Sequence, residues 1–159
     1  MNKRYSKVIE KLNNKEIVIL DGAMGTELEK RGVQMDETWS GSASLKTEIL
    51  KKIHIDYIKA GAEIITTNTY PSNRIMLDAA GLGSKFEEIN LKAINAAVEA
   101  RIETDRDDVL IAGSLSHRFP IAHGDLQSNP AIFVSKSHLK GVCDEMSEIL
   151  SQNGCDFIL

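Results

Sequence analysis

The chain has little cysteine, little aromatic content, no excess of basic charge and no long apolar run. Its two cysteines, Cys143 and Cys155, are too few for a disulfide framework and form no Cys-x-x-Cys pair. Lys and Arg number 19 against 23 Asp and Glu, for a formal net charge of −4. There is no basic stripe or Lys/Arg block, which argues against nucleic acid and anionic membrane surfaces as partners. No segment approaches the roughly 20 consecutive apolar residues of a membrane span. The opening Met-Asn-Lys-Arg-Tyr-Ser carries charge without an apolar stretch behind it, so it does not read as a secretory signal. No internal repeat or low-complexity tract is visible. Reduced thiols and no export signal fit a cytoplasmic setting.

What remains is an ordinary soluble composition, 42% apolar and 26% charged over 159 residues. That length suffices for one domain with a real core, here taken as residues 1–159.

The stretch that organises the chain is Ile17-Val18-Ile19-Leu20-Asp21-Gly22-Ala23-Met24-Gly25-Thr26-Glu27-Leu28. Four apolar residues, three of them β-branched, predict a short strand over 17–20 buried on both faces. Asp21-Gly22 breaks the run, Gly25 adds a second flexible point, and Thr26 to Glu29 begin a helical pattern. An acid, glycines and a hydroxyl thus follow the carboxyl end of a buried strand, where parallel α/β folds bind ligands. Free loop amides there suit a carboxylate. Asp-Gly is equally a common turn, and Asp a common helix cap.

The remaining pattern alternates helix and strand. Helices are predicted over 2–12, 44–60, 73–80, 85–101 and 131–152, the second on the fourfold spacing of Leu45, Ile49, Ile53 and Tyr57. Further strands are predicted over 63–70, 109–114 and 156–159. Strand starts at 17, 63, 109 and 156 give steps of 46, 46 and 47. The βα-βα-βα-β order implies right-handed crossovers and a parallel sheet. A (β/α)8 barrel needs about 250 residues. The expectation is therefore α/β, the first half of a (β/α)8 TIM barrel, with about four parallel strands and a truncation in the fourth. A half-barrel closed by a second copy, and a small doubly wound sheet, are the alternatives.

Asp21 to Leu28, Trp39-Ser40, His54, and Ala60-Gly61-Ala62-Glu63-Ile64-Ile65-Thr66-Thr67-Asn68-Thr69-Tyr70 together resemble the homocysteine S-methyltransferase family. Gly113-Ser114-Leu115 and Asp156 to Leu159 fit the third and fourth strands of that family, and the likeness runs from about residue 17 to the end. The resemblance implies a TIM barrel that binds homocysteine and Zn²⁺ and methylates the thiol with a methylated donor such as betaine or S-methylmethionine. A thiol has a pKa of about 8.5 and its thiolate is the nucleophile, so a zinc ion that deprotonates it makes chemical sense. The family's zinc cysteines lie in the second half of its barrel, beyond Leu159. The expectation is a substrate-binding half without its metal ligands, inactive by itself. A non-catalytic half-barrel acting as a binding or assembly module, as a homodimer for instance, is the competing reading.

By the same resemblance Asp21 and Gly22 meet homocysteine, Asp21 accepting from its ammonium and Gly22 offering backbone. Thr67 donates to its carboxylate, and Asn68 lies nearby. Trp39 packs on the methyl donor, whose onium charge favours an aromatic face, and Tyr70 joins it. Each has a plainer alternative: a turn for Asp21, interior packing for Thr67 and Tyr70, a loop anchor for Trp39. Glu27 supports the first helical turn. His54 and His138 read as structural helix residues, and His117 and His123 lie in the loop after the third strand, on the functional face, where they either line the pocket or simply stand exposed. Cys143 on a helix and Cys155 ahead of the fourth strand, at the wrong end of the sheet, are rejected as zinc ligands.

Overall fold

The computed structural model describes residues 3–36, 38–117 and 134–159. Three strands, β1 (Ile64–Thr66), β2 (Leu110–Gly113) and β3 (Phe157–Ile158), form a parallel sheet in that order. Ile65 stands opposite Ile111, and Gly113 opposite Ile158. The sequential order has none of the reversal that marks a doubly wound sheet.

The first predicted strand is reduced to an edge contact. Leu20 makes a single parallel bridge to Ile64, supported by Glu63 N to Ile19 O at 2.8 Å and Asp21 N to Ile64 O at 3.0 Å. Ile17, Ile19 and Leu20 are 83%, 50% and 49% exposed, so burial on both faces does not hold. The segment has β1 on one side only, and an edge strand with one neighbour keeps few ladder bonds. The opposite edge is similar: Ile158 and Leu159 are half open to solvent.

The helices follow the predicted pattern with shifted ends. They are α1 (Lys3–Asn13), α2 (Met24–Lys30), α3 (Thr47–Lys59), α4 (Arg74–Ala79), α5 (Phe86–Glu103) and α6 (Lys136–Gln152). α3 begins later than predicted because Ser42–Leu45 forms a 3-10 turn and Lys46, at φ −99° and ψ 56°, breaks the helical path. Residues 131–133 of the last predicted helix lie outside the described residues. Asn73 caps α4 by accepting from Met76 N, and Ser135 caps α6 by accepting from His138 N.

Helices α3 and α5 cover one face of the sheet. Ile55 and Ile58 from α3, Ala97 and Ala100 from α5, and Ile65, Val109 and Ile111 from the sheet and its approach form one buried cluster. The alanines of α5 let two helices and a sheet approach closely. A second cluster joins Met146 and Leu150 of α6 to Leu77, Phe86, Ile89 and Ile94. α1 crosses the amino-terminal end of the sheet: Arg4 bonds Asp107 and Asp156, Lys11 bonds Glu63, and the Tyr5 ring lies 5.9 Å from Phe157. The carboxyl ends are left to the loops. Among the described residues no helix is long and apolar enough to cross a membrane.

Candidate functional site

The carboxyl ends of the first segment and of β1 bring Asp21 against Thr66. Asp21 N is tied to Ile64 O, which fixes the residue one step beyond the bridge at Leu20. Its carboxylate then accepts from Thr66 N at 2.7 Å and from Thr66 Oγ1 at 2.9 Å. Burial pushes the Asp21 carboxyl above the ordinary aspartate range, and the two bonds from Thr66 work against that rise. Each oxygen accepts one hydrogen bond from Thr66, and a carboxylate oxygen has room for a second.

Gly22 is exposed and lies under Tyr57 of α3. A Cβ at position 22 would sit 2.8 Å from Tyr57 Oη and 3.0 Å from the ring. The absence of a side chain is what lets the tyrosine ring reach over the loop and donate its hydroxyl to Ala23 O at 3.2 Å.

Thr67 faces away from this pair, because successive side chains of an extended chain alternate. Its hydroxyl pairs with Thr69 Oγ1 at 2.8 Å and accepts from Ser114 N at 3.2 Å, and the residue is 2% exposed. Thr69 in turn donates to Ser114 O. Thr67 and Thr69 thus lock the end of β1 to the end of β2. Asn68, also buried, donates its side-chain amide to Ser40 O at 2.8 Å and to Ser44 Oγ at 3.2 Å. It joins the β1 end to the loop that carries Trp39.

That loop is closely tied. Asp36 accepts from Thr38 N at 2.9 Å, from Thr38 Oγ1 and from Ser42 Oγ. Burial would raise the Asp36 carboxyl, but the bonds from Ser42 and Thr38 more than offset it and hold it below the usual range. Trp39 and Ser40 both have left-handed backbone, at φ 53° and 69°. Trp39 is partly buried and Tyr70 is 43% exposed. The structure therefore groups Asp21, Gly22, Thr66 and Tyr57 in one set, and Trp39, Ser40 and Asn68 in another. Thr67 belongs to the strand frame.

Thr66 and Tyr57 are the site residues the sequence reading passed over. Thr66 differs from Thr67 only in the face it presents, and Tyr57 reads as one more apolar position of a periodic helix.

Glu27 pairs with Lys30 and Arg31 within and just beyond α2. His117 and His138 are exposed, and His123 lies outside the described residues. His54 is fully buried in α3, and neither ring nitrogen has a hydrogen-bond partner among the described residues.

The described residues do not fit a zinc site. They hold no group of three or more His, Cys, Asp or Glu that could share an ion. Burial pushes the Cys155 thiol up to about 12, away from the thiolate a metal needs, and its sulfur lies against Gly113 and the core. Cys143 stands apart on α6.

Comparison with known proteins places the chain in a family. The sequence model of a family described as homocysteine S-methyltransferase matches residues 18–159. Betaine–homocysteine S-methyltransferase 1 of Sus scrofa is 27% identical over 157 residues, which covers 96% of this chain and 52% of that protein. Homocysteine S-methyltransferase 3 of Zea mays is 34% identical over 110 residues, covering 67% and 30%. Among solved structures, the metallated form of the homocysteine methyltransferase MmuM from Escherichia coli superposes with a TM-score of 0.74 at 26% identity. That match covers 94% of this chain and 55% of that one. The oxidized form of MmuM gives a TM-score of 0.76 at 25% identity, covering 99% and 56%. The chain spans about half the length, or less, of the relatives it matches. With the match running from the first strand segment to the last residue, the chain belongs to the homocysteine S-methyltransferase family.

Proposed function

We propose that this chain is the homocysteine-binding half of a methyltransferase (β/α)8 barrel, the half that holds the amino acid whose sulfur accepts a methyl group to give methionine. The observation that carries the reading is the Asp21–Thr66 pair: a carboxylate held by two donors at the carboxyl ends of adjacent parallel segments. Family membership and the sequential sheet order support the barrel. In this reading the Asp21 carboxylate takes the substrate ammonium and the exposed backbone at Gly22 lies along it. Thr67 and Asn68 hold the strand ends around the substrate, and Trp39 and Tyr70 meet the onium group of a donor such as betaine or S-methylmethionine. The described residues hold no donor set for a thiol-activating zinc; in this reading the chain supplies substrate binding, and residues of the other half of the barrel would hold the metal.

Calorimetric titration of L-homocysteine into this chain tests it. Asp21→Asn should weaken binding about tenfold to a hundredfold, the range of a hydrogen bond to a charged group at ~1.5–3 kcal/mol. Unchanged affinity in that variant, or no saturable binding by the parent chain, would overturn the reading.

A second reading is favoured by the two apolar sheet edges, Ile17 to Leu20 on one side and Ile158-Leu159 on the other. Open parallel edges are templates for pairing, and a second copy could close the sheet as a homodimer without catalysis. Sedimentation equilibrium separates the two: a stable dimer that fails to bind homocysteine supports the second.

A further inference from the structure

Residues 38–45 contain two consecutive non-glycine residues, Trp39 and Ser40, in left-handed backbone. Such conformations are costly for residues with a Cβ and persist only where the surroundings over-determine them. The surroundings here are identifiable. Asp36 organises the first part of the loop from within, through Thr38 and Ser42. Gly41 docks the loop on the chain after β1: a Cβ there would lie 3.0 Å from the Pro71 carbonyl oxygen. Among the described residues Asn68 supplies two long-range hydrogen bonds to the loop. Its side-chain nitrogen donates to Ser40 O, the carbonyl of one of the two strained residues, and to Ser44 Oγ, four residues on. Asn68, Ser40 and Ser44 are all buried, at 5%, 6% and 0% exposure, so breaking these bonds leaves poorly hydrated polar groups.

We propose that Asn68 is a positioning residue: its side-chain amide clamps Ser40 and Ser44 and thereby fixes Trp39 beside the carboxyl end of β1 before any ligand arrives. Asn68 then acts through Trp39, and its amide is not itself a substrate contact. That Trp39 so placed forms the donor-side wall rests on the functional reading above. The clamp couples the two halves of the site, because Asn68 follows within two residues of the Thr66 that holds Asp21.

The chain has one tryptophan, so its emission reports Trp39 alone. Asn68→Asp keeps the side chain's size, removes both donors and sets a carboxylate against the Ser40 carbonyl. It should raise the acrylamide quenching constant of Trp39 at least twofold and lower its anisotropy, with unchanged far-ultraviolet circular dichroism. Ser44→Ala, which loses one of the two acceptors, should give a smaller rise. Ile58→Ala in α3 serves as the control: its cluster holds no residue of the loop, so it destabilises the fold away from Trp39 and should leave the quenching of Trp39 in the folded chain unchanged. Wild-type quenching in Asn68→Asp overturns the proposal. Should that variant fail to fold, Ser44→Ala decides, and wild-type quenching there overturns it.

Betaine and S-methylmethionine are then titrated against Trp39 emission. Affinity at least threefold weaker in Asn68→Asp supports the clamp. Equal affinity, or no response in the parent chain, overturns the donor-wall assignment. No homocysteine is present in either measurement, so the outcome is independent of the Asp21 titration.

Discussion

Thr66 donates twice to Asp21, from its backbone nitrogen at 2.7 Å and from Oγ1 at 2.9 Å. The two bonds oppose the desolvation that raises the Asp21 carboxyl. An ammonium ligand needs the ionised form, so homocysteine binding should fall as pH drops through the raised Asp21 pKa. Thr66→Val keeps the backbone bond and deletes the hydroxyl. Asp21 should then titrate higher still, which moves the acid limb of the binding curve to higher pH and weakens binding on that limb. Titrations of L-homocysteine between pH 4 and pH 8 read both effects. Superimposable pH curves for the two proteins would show that the Thr66 hydroxyl does not tune the carboxylate.

The same carboxylate should cost stability. A folded-state pKa above the unfolded value means that the unfolded chain ionises more readily. The penalty is absent below the unfolded aspartate pKa of about 3.9, grows as pH rises towards the folded value and is complete above it. Asn at position 21 can accept from Thr66 N and donate to Thr66 Oγ1, so it keeps both bonds and loses the charge. Asp21→Asn should therefore melt higher than the parent at pH 7, with the gain fading towards pH 4, while it binds homocysteine more weakly. Paired thermal melts at the two pH values check this. A lower melting temperature at pH 7 would mean that Asp21 is a structural cap rather than a charge kept for a ligand.

Much of this architecture is legible in the sequence, and the exceptions have physical causes. β1, β2 and β3 all fall inside predicted strands, because runs such as Val109-Leu110-Ile111-Ala112 are buried whatever lies at the sheet's rim. The 17–20 run is just as apolar, yet only Leu20 pairs; how many neighbours a strand has is a property of topology and not of its residues. Helix interiors are legible from the fourfold spacing, but the break at Lys46 depends on a 3-10 turn that tertiary contacts impose. At the site, Asp21 and Gly22 stand out as a strand-ending pair. Thr66 does not, because a one-residue change of register exchanges the faces of two adjacent threonines. The sequence places Asn68 among the substrate contacts, while its bond to the Ser40 carbonyl, 28 residues away, becomes visible only in the fold.

His54 offers a prediction that the helical pattern alone does not supply. It is fully buried in α3 with both nitrogens unpartnered among the described residues, and burial pushes its pKa down to about 4. A histidine that ionises more readily when unfolded favours the unfolded chain on protonation. Stability should thus decline as pH falls from about 6.5 to about 4, at up to ~1.4 kcal/mol per pH unit. His54→Leu removes the titration and the unpartnered nitrogens, each such buried group costing about 1–3 kcal/mol. The variant should be more stable at pH 7 and still more so, relative to the parent, at pH 5. Urea denaturation at both values measures this. An equal or lower midpoint for the variant at pH 5 would point to a water held by the imidazole.

At the other end of the sheet Asp156 closes the floor. Its side chain is 4% exposed; it accepts from Arg101 Nη1 at 2.8 Å, from Ile111 N at 2.9 Å and from Arg4 Nη1 at 3.3 Å. One carboxylate thus ties α1, α5, β2 and the approach to β3. Arg101, at 11% exposure, cannot regain water if the carboxylate is lost, whereas Arg4 is 25% exposed and has Asp107 as a second partner. Removing one member of a buried pair typically costs about 3–5 kcal/mol, and losing an exposed pair about 0–1. Asp156→Asn should therefore cost about 3 kcal/mol, the low end because Arg4 stays hydrated. Arg101→Met should cost less, because Asp156 keeps Arg4 and the Ile111 amide and the methionine fills the space. Arg4→Met should cost least. Urea midpoints at pH 7 rank the three; the floor is not held as described should Arg4→Met prove as damaging as Asp156→Asn, because the network would then depend on its exposed arm.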